Sequence, residues 1–81
     1  SKALSLFEKA VQIYEKTLSR NHPLRATTYN NIGDVLLQMK NYAEALSYYQ
    51  RALDIRQRSL RPNHPDLQDV LLKVTLMKTL L

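Results

Sequence analysis

A chain of 81 residues with no cysteine makes one small domain at most, and it excludes disulfide scaffolds, thiolate zinc sites and thiol catalysis. Its net charge of +5 favours an acidic partner, yet the basic residues are scattered and lack the lysine clusters and interleaved aromatics of nucleic-acid binders. No apolar run approaches the ~20 residues of a membrane span and no leader-like segment opens the chain, so a cytoplasmic location is expected.

One glycine and three prolines leave few places for strands to turn, and helical spacing runs throughout. The first predicted helix, Ala3–Leu18, carries Leu4, Phe7, Ala10, Val11, Tyr14 and Leu18 along one side. Asn21–His22–Pro23 then starts a second helix, 23–39, because proline suits the first helical position and pushes the residue before it out of the α region. On that helix Tyr29, Ile32, Gly33 and Leu36 share a face, with Thr27, Asn31, Asp34 and Gln38 opposite. The lone Gly33 implies close approach of a neighbouring helix, since glycine costs a helix about 1 kcal/mol relative to alanine.

Lys40–Asn41 is a tight connection into a third helix, 42–60, striped by Tyr42, Ala45, Leu46, Tyr49, Ala52 and Leu53. Arg51, Arg56, Arg58 and Arg61 read as a solvated basic helix end complementing the dipole. Asn63–His64–Pro65 starts a fourth helix, 65–81, which is apolar nearly all round and so expects cover on more than one side.

The two Asn–His–Pro tripeptides lie 42 residues apart, and the same shift aligns Ala3 with Ala45, Leu4 with Leu46, Ala10 with Ala52 and Ile13 with Ile55. The chain therefore repeats itself, with two helices to a unit. Within this frame the histidines are helix punctuation; two of them a whole repeat apart, without a carboxylate cluster, do not make a metal site.

Tyr29-x-x-Ile32-Gly33-x-x-Leu36, followed by Ala45-x-x-x-Tyr49 and Ala52, resembles the tetratricopeptide repeat, and Ala3-x-x-x-Phe7 with Ala10 resembles the second half of a preceding one. Gln57 stands where that pattern has proline, so the helix is expected to run on and lengthen the unit from the usual ~34 residues. Long units with "HP" before "ATxxNN" are similar to those of kinesin light chains. Lys40 takes a place where such hairpins favour glycine. The resemblance implies an all-α fold of four helices, antiparallel hairpins stacked as a short α-solenoid over 1–81. Residues 1–19 would be a second-type helix, 23–60 a complete repeat and 65–81 a first-type helix. Tyr29, Ile32, Leu36, Ala45, Leu46 and Tyr49 are expected to interlock in its core.

No nucleophile with a base, paired carboxylates or glycine-rich phosphate loop is present, so no catalytic residue, metal or cofactor is expected and the chain reads as a non-catalytic protein-interaction module. In the resembled family the first-type helices line a concave surface that docks peptides. The matching positions are Thr27, Asn30, Asn31, Asp34 and Gln38, with Lys73 on the next unit. By likeness to kinesin light chain grooves, the peptide expected there is acidic. An alternative is self-association through the terminal helices, with Leu4, Phe7 and Val11 of one copy covering Leu76, Leu80 and Leu81 of another.

Overall fold

A computed structural model describes residues 2–81; Ser1, the first residue of the expected 1–19 segment, lies outside the described residues. The chain forms α1 (Lys2–Thr17), α2 (Pro23–Gln38), α3 (Tyr42–Ser59) and α4 (Pro65–Leu80), each packed on its neighbour in sequence. Every expected helix is present within a residue or so of its expected ends, and no strand occurs among the described residues. The fold is all-α, a short solenoid of antiparallel helices.

Both Asn–His–Pro tripeptides start helices in the same way. His22 and His64 are extended N-cap residues, and their Nδ1 atoms accept from the N–H of Leu24 and Asp66, each at 3.1 Å. The proline that follows needs no N–H partner, so the cap and the proline together settle the first turn. At the α2–α3 hairpin, Lys40 adopts a left-handed φ of 61°. Its N–H donates to the Leu37 carbonyl and that of Asn41 to the Leu36 carbonyl, both at 2.9 Å, the two bonds of a Schellman stop. Lysine here holds a conformation that glycine adopts without steric cost. At the Gln57 position α3 does run on, to Ser59.

The core centres on α2 and α3, where Tyr29, Ile32, Leu36, Ala45, Tyr49 and Ala52 are buried, and α4 adds Val70, Val74 and Met77. Leu46 packs at the rim of this core and is only partly buried. Gly33 faces the Tyr49 ring so closely that an added Cβ would lie 2.5 Å from Cε1. Close approach is therefore the reason for the glycine. Ile55, also buried, and Tyr48 pack from α3 beside the expected stripe. Helix α1 has no fully buried residue; Leu4, Phe7 and Val11 pack against the core from its inner side.

Candidate functional site

The exposed sides of α2 and α4 meet along a polar seam. Tyr49, buried beneath it on α3, donates its hydroxyl to Asp34 Oδ1 at 2.5 Å. Lys73 reaches across from α4, with Nζ 3.1 Å from the same Asp34 oxygen and 3.3 Å from Asn30 Oδ1. It also pairs with Asp69 one turn earlier at 3.3 Å and lies over the Tyr49 ring, 5.5 Å from the centroid. One ammonium is thus shared between two carboxylates, an amide and an aromatic face, and the seam ties α4 to α2. Burial raises the pKa of the Tyr49 phenol well above its ordinary value, and the hydrogen bond to Asp34 and the nearby negative charges add to the rise.

Three of the residues expected to line a groove, Asn30, Asp34 and Lys73, are therefore brought together. Thr27, Asn31 and Gln38 lie on the same helix as the first two, and their side chains make no hydrogen bond among the described residues; Thr27 and Gln38 are exposed and Asn31 half-buried. Such amides can donate to a peptide carbonyl and accept from its N–H. Asp69 and Tyr49 were not among the expected residues. The Asp69–Lys73 spacing of one helical turn was a legible signal, whereas the upward reach of Tyr49 depends on the close α2–α3 approach. With two carboxylates against one ammonium, the seam has no surplus positive charge for an acidic ligand.

Leu72 and Leu76, one repeat on from Asn30 and Asp34, are 70% and 46% exposed. The α4 half of this surface is thus apolar where the α2 half is polar. Of the residues expected to mediate self-association, Leu76, Leu80 and Leu81 are exposed, but Leu4, Phe7 and Val11 are turned inward onto the core. The exposed large apolar residues of α1 are Leu6 and Ile13.

Three of the four arginines that read as a solvated helix end have partners, and Arg61 is exposed. The Arg51 guanidinium lies 5.8 Å from the Tyr29 ring centroid and 5.2 Å from that of Tyr48. Arg58 donates to Asn21 Oδ1 at 2.9 Å and Arg56 to the Asp66 carbonyl at 3.3 Å.

Among the described residues no helix is long and apolar enough to cross a membrane. The family model described as "Tetratricopeptide repeat" matches residues 1–58 and 25–72. A search of curated proteins gives no match.

Proposed function

Because the chain belongs to the tetratricopeptide repeat family, we propose that it is a non-catalytic interaction module whose α2–α4 surface docks a peptide of a partner protein. The observation that carries this reading is the set of unengaged amides and hydroxyl at Thr27, Asn31 and Gln38 beside the braced Asn30–Asp34–Lys73 cluster. The cluster holds the seam rigid, so little side-chain order is lost on binding. Asn31 supplies the main-chain bonds, while Leu72 and Leu76 offer an apolar footing for the peptide's side chains. An acidic peptide is supported by the net charge of +5 and the likeness to kinesin light chain repeats, not by the charges of the seam itself. Residues 23–60 act as the complete repeat, with 1–19 and 65–81 as flanking halves.

The test is a peptide selection followed by affinity measurement. Asn31→Ala weakens the selected peptide by ~1 kcal/mol, the net worth of one hydrogen bond. Affinity that survives Asn30→Ala and Asn31→Ala together places the ligand elsewhere.

A second reading, self-association, is favoured by the repeat correspondence. Tyr29 of α2 meets Tyr48 of α3 with ring centroids 6.1 Å apart, and one repeat away these positions are Leu71 and Leu6, exposed at 40% and 63%. Helix α1 of one copy seated on α4 of another would repeat the α2–α3 contact, Leu6 against Leu71 and Ile13 where Ile55 lies. Such a contact is head-to-tail and grows beyond a dimer, as an open chain or as a ring where the rotation closes. Sedimentation at rising concentration would then show mass growing beyond the monomer, and Leu71→Glu would prevent it; a strict monomer removes this reading.

A further inference from the structure

Beside the junction of α1 and α2, and away from the Asn30–Lys73 seam, lies a cavity of about 150 Å³ lined by Arg20, Arg25, Arg51 and Arg58. Asp54 is the one carboxylate on its wall. Among the described residues none of the four guanidiniums forms an ion pair. Three of them are placed by something other than an acid, and Arg20 is exposed. Arg51 is stacked over two tyrosines and Arg58 is bonded to Asn21. The Arg25 terminal nitrogen sits 3.5 Å from the Tyr29 hydroxyl, which itself donates to Glu15 at 3.2 Å. The Arg25 Nε is enclosed and makes no hydrogen bond, and a buried N–H without a partner needs an explanation.

The fold does not demand this chemistry. One repeat on, the places of Arg20, Arg25 and Tyr29 are taken by Pro62, Leu67 and Leu71, which line an apolar hollow. The same position in the solenoid is thus basic in one unit and apolar in the next. Planar guanidiniums present paired donors that match tetrahedral and carboxylate oxyanions. Four guanidiniums gathered against the single Asp54 carboxylate are relieved when an anion enters.

We propose that this cavity is a binding site for a phosphoryl-type oxyanion, held by Arg20, Arg25, Arg51 and Arg58 and separate from the peptide seam. The site gives the chain's positive charge a specific address. A phosphorylated side chain of a partner or free phosphate would present the same dianion.

The probe is inorganic phosphate, titrated into the chain at constant ionic strength with chloride as the balancing anion, because screening alone changes surface electrostatics. The expected result is saturable binding that shifts the amide signals of residues 20–25 and 51–58. Arg20→Gln with Arg58→Gln, both exposed positions, weakens it tenfold or more with helix content unchanged. Lys9→Gln with Lys78→Gln, which removes the same charge elsewhere, leaves it within twofold. A phosphoserine peptide binding tighter than phosphate assigns the anion to a partner protein, and one binding no tighter assigns it to free phosphate. No saturable binding, or equal loss from the arginine and lysine pairs, overturns the proposal.

Discussion

Gly33 and Tyr49 share one physical problem, which is how to bring two helices close enough for a buried phenol to reach a carboxylate on the far side. Glycine supplies the space, and Tyr49 fills it completely, fully buried with its hydroxyl on Asp34. Gly33→Ala would gain about 1 kcal/mol of helix propensity but drive a methyl into the ring. Overpacking of this kind costs ~1–3 kcal/mol, so the variant is expected to be less stable in thermal melts. A rise in melting temperature would mean that the ring yields and the close approach is not needed.

The Tyr49 phenol makes a second residue-scale prediction. Its folded pKa is raised, first by burial and then by the bond to Asp34, so the folded chain keeps a proton that the unfolded chain releases near pH 10. The contribution is fully present below that pH and is lost as pH rises towards the folded value. Stability therefore declines above about pH 10, by up to ~1.4 kcal/mol per pH unit for this one proton. Tyr49→Phe, about 1 kcal/mol less stable at neutral pH through the lost hydrogen bond, is expected to decline more slowly. Equal alkaline slopes in denaturant titrations would contradict the assignment.

At the scale of the helices, the boundaries were legible because local chemistry decides them. Asn–His–Pro works through the fixed φ of proline and the lone pair of histidine, and neither depends on distant residues. Lys40 was legible as a poor fit, and the left-handed φ of 61° shows where the cost lies. A non-glycine residue in that region carries ~1–2 kcal/mol of strain, so Lys40→Gly is expected to raise the melting temperature by several degrees in a domain of this size. No change would mean that the lysine side chain makes up the difference. What the sequence left illegible at this scale was the facing of α1. Its apolar residues Leu4, Phe7, Val11, Leu6 and Ile13 form two stripes, and only the placement of α2 decides that the first three turn inward.

For the whole molecule, the repeat made the architecture readable, since each helix has a counterpart 42 residues away in the sequence. The candidate surface was less readable. Thr27, Asn31 and Gln38 could be placed on an outer face by angle alone. That Lys73 would be drawn down onto Asp34, Asp69, Asn30 and the Tyr49 ring depends on three helices meeting, which no periodicity encodes. The same holds for the arginines, whose scattered positions converge only when the α1–α2 junction docks beside α3.

Partner recognition is assigned to the α2–α4 surface. Its most direct measurement is a nuclear magnetic resonance map of the isotopically labelled chain titrated with a peptide obtained by unbiased selection. Perturbations are expected at Thr27, Asn30, Asn31, Gln38, Leu72, Lys73 and Leu76, with α1 and the outer side of α3 unchanged. A peptide that binds specifically while perturbing only α1 and α3 would contradict the account.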